Sequence, residues 1–246
     1  MALPKIDVPT YETTLISSGK KVKFRPFLVK EQKLFLMASQ SNDVKETTDV
    51  VKQVLKNCIL TDIDVDSLPT FDLEHLFTQL RARSVGEVVN LKYNCNNEVK
   101  DEKGEATTCN GVVKFDFNLL ELQPVIDPEH TSKIEISEKL GIIMKYPTFE
   151  MVTDTNIKNL DDIEGLLNLI VDCIDCIYDE DNMYYSKDLP REEFVDFVES
   201  MQQDDLEKIQ KFFDTMPKFS KKVNFNCPKC GYKEEIQIEG LQNFFV

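Results

Sequence analysis

The sequence predicts an α+β fold, a helical body combined with a small antiparallel β module built from two hairpins far apart in the chain. Three observations carry that expectation. Apolar residues recur at helical spacing between Lys30 and Arg83 and again between Leu160 and Phe213. Runs of period-2 alternation occupy Tyr11–Phe27, the stretch from Ser84 to Tyr146, and Phe219 onward. Four cysteines, Cys95, Cys109, Cys227 and Cys230, each adjoin one of these strand-like runs.

Taken in order, Tyr11–Ile16 and Lys21–Phe27 read as the arms of a hairpin with Ser17-Ser18-Gly19-Lys20 as its turn. Val22 and Phe24 alternate with Lys21, Lys23 and Arg25, and Pro26 ends the ladder because it cannot donate to it. A helix is expected over Lys30–Ser39, with Leu34, Phe35, Met37 and Ala38 on one side. A second is expected over Asp49–Leu60, and a third over Asp72–Arg83 with Thr70 as its cap. Strands should follow to Tyr146, interrupted by a solvated polar loop over Asn94–Asn110. They include a pair, Ile134–Ile136 and Ile142–Tyr146, joined around Gly141. Helix returns after Asn159, with Leu160, Ile163, Leu166, Leu167, Ile170, Val171, Ile174 and Ile177 as its apolar face. A long helix then opens after Leu189-Pro190 and carries Phe194, Phe197, Val198, Met201, Leu206, Ile209, Phe212 and Phe213 inward. Phe219–Val246 closes the chain as a second hairpin. The organisation implied is 1–83, a hairpin and helices; 84–146 with 218–246, the β module; and 147–217, a helical segment.

Cys227-Pro228-Lys229-Cys230-Gly231 is a tight C-x2-C knuckle, in which the glycine lets backbone amides turn toward a sulfur. Cys95 follows the run Val88–Tyr93, and Cys109 precedes the run Val112–Phe117. Two hairpins, each contributing two thiols, are the parts of a zinc-ribbon-like module. Four thiolates hold Zn2+ tetrahedrally at about 2.3 Å and leave no open position for catalysis. Cys95, Cys109, Cys227 and Cys230 are therefore the expected ligands of one structural Zn2+.

The chain has 246 residues, 41% of them hydrophobic, enough to bury a sizeable core. Sixteen Phe and no Trp make Phe the main source of aromatic packing. A net charge of −15 repels phosphate backbones and anionic headgroups, which argues against direct nucleic-acid or membrane roles. No stretch approaches the roughly 18 to 20 apolar residues of a membrane span, and Met1–Asp7 has no apolar signal region. Seven cysteines, an odd number, fit a reducing compartment better than a disulfide framework.

Other candidate chemistry is thin. Cys173-Ile174-Asp175-Cys176 repeats the C-x2-C spacing inside an apolar helical run, so both thiols, like Cys58, read as core residues. His75 and His130 lack partners at ligand or triad spacing and read as structural. Phosphate-loop and hydrolase motifs are absent, and Asp179–Asn182 lacks the frame of a calcium loop. The apolar ending Gly240–Val246 either folds back on the core or docks on a partner.

Several segments together resemble the baseplate hub and hub-assembly proteins of T-even-type tailed bacteriophages. They are Val22–Lys33 with Leu36-Met37-Ala38, Phe71–Phe77, Leu80–Glu87, Met144–Pro147 and the ending from Cys227 to Phe245. The resemblance implies a non-enzymatic component of the hub, or a chaperone of its assembly, acting in the host cytoplasm and possessing no mapped catalytic residues. It implies other baseplate hub and tail proteins as partners. Arg25-Pro26-Phe27 and Leu80–Arg83, or the acidic helical face around Asp204-Asp205, are the candidate contact spots, since Arg and Phe are common interface anchors; the competing reading is that Arg81 and Arg83 pair with local carboxylates. Two competing readings of the residues are a zinc-ribbon adaptor for a transcription or replication machine, and a hydrolase with an unrecognised site. The −15 charge disfavours direct DNA contact by the adaptor, and the closed thiolate cluster disfavours the hydrolase.

Overall fold

The structure, a computed structural model, describes residues 6–38, 44–100, 104–154 and 163–239. Among them are seven α-helices and thirteen short strands, so the α+β class holds. In chain order these are β1 (Tyr11–Thr14), β2 (Lys21–Phe24), α1 (Val29–Ala38), α2 (Val44–Cys58), α3 (Thr70–Ser84), β3 (Val88–Asn94), β4 (Glu98–Lys100), β5 (Ala106–Thr108) and β6 (Val112–Asn118). A single 3-10 turn, Leu119–Glu121, precedes β7 (Pro124–Val125), β8 (Lys133–Glu135), β9 (Gly141–Met144), α4 (Phe149–Asp154) and α5 (Ile163–Asp172). The chain continues with β10 (Ile174–Tyr178), β11 (Met183–Tyr185), α6 (Arg191–Glu199), α7 (Gln203–Thr215), β12 (Lys218–Asn226) and β13 (Lys233–Glu239).

Two compact units divide these elements, one formed by residues 1–62, 74–125 and 218–246, the other by 63–73 and 126–217. In the first unit β1 and β2 form the expected hairpin, with Val22 and Phe24 buried between exposed lysines. Residue 59 bridges to Phe24, and Leu60 N–H donates to Lys23 O at 2.8 Å, so the end of α2 extends this ladder. Arg25 leaves β2 into an ion pair with Glu31, Nη2 to Oε1 at 3.0 Å, and Glu31 is fully buried. The second Glu31 oxygen accepts from Leu28 N–H at 2.8 Å, which satisfies an open donor at the start of α1. Burial pushes the Glu31 carboxyl up. The hydrogen bonds from Arg25 and Leu28, with the charges of Arg25 and Lys30, outweigh burial and hold it below the usual carboxylate range.

The β module of this unit consists of four pairings, one of them the short contact of β7 with the start of β12, Pro124–Val125 against Lys218–Phe219. β3 and β6 are antiparallel over Val88–Asn94 and Val112–Asn118, β12 and β13 over Ser220–Asn226 and Lys233–Glu239, and β4 and β5 form a small hairpin between Cys95 and Cys109. The solvated loop expected over Asn94–Asn110 is therefore partly strand. Its side chains are largely exposed, as their polarity requires, but its backbone pairs.

In the second unit β8–β9 forms the expected strand pair but belongs elsewhere than expected. It joins β10 and β11 in a four-stranded antiparallel sheet, order β11-β10-β9-β8. The β module thus ends near Val125 instead of Tyr146. The helical run expected through Ile177 stops at Asp172, and residues 174–178 are strand β10, paired with β9 and β11. A short apolar run buried on both faces has no period that distinguishes strand from helix, and the free edges of its neighbours decide. The long helix after Pro190 is two helices. Gln202 and Asp205 cap one another reciprocally at the start of α7. Ile142, Met144, Ile170, Ile174, Phe194, Val198, Ile209 and Phe212 are the centre of this unit's core.

On α1, Ala38 is buried and Leu34 and Phe35 half-buried, but Met37 faces solvent, 60% exposed, beside Leu36 at 61%. The expected inward face is accordingly narrower. Gly240–Val246 lies outside the described residues.

Candidate metal centre

β3 delivers Cys95 at its end, and β6 begins three residues after Cys109. Here the two arms stay paired between the β3–β6 and β4–β5 ladders: Cys95 N–H donates to Gly111 O at 2.8 Å, Cys109 N–H to Asn97 O at 2.9 Å and Asn110 N–H to Cys95 O at 2.9 Å. Asn110 takes a left-handed conformation at φ 52°, which Asn tolerates better than most residues. In the other half β12 ends at Asn226 and the knuckle turns at once, with Gly231 N–H donating to Cys227 O at 2.9 Å and Cys227 N–H to Tyr232 O at 2.8 Å. Gly231 sits at φ 74°, the backbone role expected of the glycine after the second cysteine.

The fold brings all four expected thiols together. Their sulfurs lie within 4.8 Å of one another. Cys95 and Cys230 stand 3.7 Å apart, and Cys109 and Cys227 stand 3.8 Å apart. A tetrahedron with about 2.3 Å metal–sulfur bonds has sulfur–sulfur edges of about 3.8 Å. All four are free thiols, and Cys95, Cys109 and Cys227 are buried. Three of the sulfurs accept a backbone N–H from the residue two positions on: Cys95 from Asn97, Cys109 from Gly111 and Cys230 from Tyr232. Burial pushes the Cys95 thiol up to about 12 and raises Cys109, whereas the Tyr232 N–H and the neighbouring thiols draw Cys230 down to about 6. Thiols packed this closely with N–H groups aimed at them form a donor set for a thiolate-binding cation.

Gly111 has no room for a side chain. A Cβ there would stand 2.7 Å from Cys227 Sγ and 2.9 Å from Lys229 Cβ. Sequence reading passed over Gly111, Asn97 and Lys229. The signal for the first two was the repeated form Cys-Asn-Asn and Cys-Asn-Gly at 95–97 and 109–111, each placing an amide two residues past a thiol as Cys230-Gly231-Tyr232 does.

The other sequence candidates are far from this cluster in role. Cys173 and Cys176 are both buried, as expected, but one follows α5 and the other lies in β10, so they do not share a helix face. Cys58 is buried 3.6 Å from Arg25 Nη1, and burial pushes its thiol up to about 11. His75 Nε2 lies 2.7 Å from Thr13 Oγ1, with its ring stacked on Phe219. His130 is held at both nitrogens, 2.9 Å from Thr215 Oγ1 and 2.9 Å from Tyr146 Oη. Of the expected contact spots, Arg25 is committed to Glu31, and Arg83 pairs with Glu87 at 2.9 Å and covers the Tyr11 ring.

Helices and antiparallel strands with one four-thiol cluster define a mixed α+β protein with a candidate metal centre. The family of T4 bacteriophage base plate proteins matches residues 8–246, and the chain belongs to that family. It is a structural protein of the phage tail baseplate, which implies contact with other tail proteins. The match covers every segment on which the resemblance to baseplate proteins rests. No curated protein and no solved structure matches the chain. Among the described residues no helix is long and apolar enough to cross a membrane.

Proposed function

We propose that this baseplate protein is a non-enzymatic component of the baseplate hub, or a chaperone of hub assembly, that recognises other tail proteins through a surface stiffened by one structural Zn2+. The observation that carries the proposal is the four-sulfur cluster: two of its edges, 3.7 and 3.8 Å, match those of a zinc–tetrathiolate tetrahedron. Cys95 and Cys109 would hold the ion from the β3–β6 side, Cys227 and Cys230 from the β12–β13 tip. Zinc bound by four thiolates supplies cohesion and presents no water for chemistry. The host cytoplasm, where tails are built, would keep the thiols reduced.

Elemental analysis of protein purified without chelator should find one zinc per chain. Less than half an equivalent overturns the zinc reading. Tail proteins should co-purify with the chain from infected cells, and co-purification with a polymerase instead overturns the hub reading in favour of an adaptor. Mass spectrometry of purified virions separates the two forms of the proposal, because a component is retained and an assembly chaperone is lost.

A further inference from the structure

The two halves of the cluster come from segments more than a hundred residues apart, and two side-chain hydrogen bonds link them at the cysteines themselves, beside the ring contact of Phe115 with Phe225. Asn97 Nδ2 donates to Cys230 Sγ at 3.8 Å. Lys229 Nζ donates to Cys109 O at 2.6 Å. Asn97 also gives its backbone N–H to Cys95 Sγ and accepts the Cys109 N–H on its carbonyl at 2.9 Å. One residue therefore touches three of the four cysteines. Its side-chain amide reaches Cys230, which, unlike the other three, is not fully buried.

We infer that Asn97 and Lys229 are positioning residues of the metal centre, a two-point latch that holds the knuckle against the β3–β6 half and sets how tightly the cation is kept. The inference rests on the zinc reading above. Its chemistry is that of an outer shell. An N–H donated to a thiolate withdraws electron density from the sulfur and fixes the direction of its lone pairs. Four thiolates around a divalent cation leave a net charge of about −2, and the Lys229 ammonium, bonded to the carbonyl of a ligand residue, lies where it offsets that charge. The N–H···S bonds come from the backbone and do not depend on the Asn97 or Lys229 side chains. The two side-chain links do, so they are the points at which affinity is adjustable. Asn97 is half-buried and Lys229 exposed, so neither supports the core.

The test uses the full chain. Zn2+ affinity is measured by competition with a chromophoric chelator, and Co2+ loading is followed by its thiolate charge-transfer absorption. The expected result is that wild type binds one ion, and that Asn97→Ala and Lys229→Met each lose about 10- to 100-fold in affinity with faster release. Lys229→Arg should restore the affinity, and the cobalt charge-transfer band should move in Asn97→Ala because Cys230 has lost its donor. Wild type that takes up neither ion overturns the zinc reading itself. Wild type that binds while both variants bind equally well, with an unmoved cobalt spectrum, overturns the latch alone. Helical circular dichroism recorded on the same samples separates weakened binding from misfolding. A variant that loses helix is replaced by Asn97→Ser or Lys229→Gln, which the same two results then judge.

Discussion

The β8–β11 sheet of one unit and the β3–β6 and β12–β13 pairs of the other are all short antiparallel ladders, but they are held by different forces. Behind the β8–β11 sheet lies a cluster of thirteen buried hydrophobic residues with eleven more packed against it. In the cysteine region the buried cluster is Cys95, Cys109 and Cys227 with Val113 and Phe225, and Tyr93, Val99, Phe115, Cys230 and Ile236 pack against it. Fully burying a Val or Phe contributes about 1.5 to 3 kcal/mol, so the few apolar side chains around the sulfurs offset less chain entropy than the larger core does. Structural zinc has an apparent binding energy of about 10 to 16 kcal/mol in small modules. The comparison teaches that thiols make up most of the buried cluster at the tips of these strands, where few apolar side chains are buried.

Breaking the metal centre should have the largest effect and a local one. In Cys227→Ser, or after chelator treatment, amide exchange should accelerate across 88–100, 104–118 and 220–239 by several kcal/mol of lost protection, set against the roughly 10 to 16 kcal/mol a structural zinc would supply. The β8–β11 amides should stay protected. Equal loss in both regions would erase the contrast. Next in size is the reciprocal change. Phe212→Ala removes a buried ring from the larger core and should cost about 3 to 5 kcal/mol in denaturant unfolding, with zinc content unchanged.

The Arg25–Glu31 pair tests whether polar burial behaves like either region. Arg25→Met leaves the buried Glu31 carboxylate with only Lys30, 3.4 Å away, and the Leu28 N–H to offset its burial, and should cost up to about 3 kcal/mol near neutral pH. Because the folded-state carboxyl of Glu31 lies below its unfolded value, its contribution is present above the unfolded pKa. It is lost as pH falls through the folded one. Glu31→Gln should therefore flatten the acid limb of the stability curve, and an unchanged limb would remove this carboxylate from the account.

Gly111→Ala is a finer probe of the cluster. Its Cβ would press on Cys227 Sγ and Lys229 Cβ, and the strain should cost about 1 to 3 kcal/mol, read as weaker zinc retention together with a lower melting temperature. Smallest is Leu36→Glu with Met37→Glu on the exposed side of α1, which should change stability by no more than about 0.5 kcal/mol per site. A larger loss would show that this side is covered.

The elements that were legible in the sequence are those whose signal is local. The hairpin at residues 11–24 announced itself through alternating lysines around Val22 and Phe24. α2 and α3 did so through helical periodicity, and β8–β9 through its flanking glycine and proline. All four cysteines of the cluster were legible because spacing and neighbouring strand runs point to one chemistry. The break between α6 and α7 was signalled by Gln202 and Asp205, but the apolar period running through it masked the caps. β10 carried no distinguishing signal, since Ile174, Cys176 and Ile177 are buried whether helix or strand.

Residue type and spacing alone pointed to which thiols belong together, to the helical stretches around α1, α2 and α3, and to the α+β class, because each depends on groups a few bonds or one turn apart. Tertiary structure alone decided that residues 174–178 join a sheet, that β8–β9 leaves the cysteine module, and that Asn97 and Lys229 reach across to the opposite half of the cluster. Those outcomes depend on backbone donors and acceptors supplied by distant segments, and only folding brings such partners within hydrogen-bonding range.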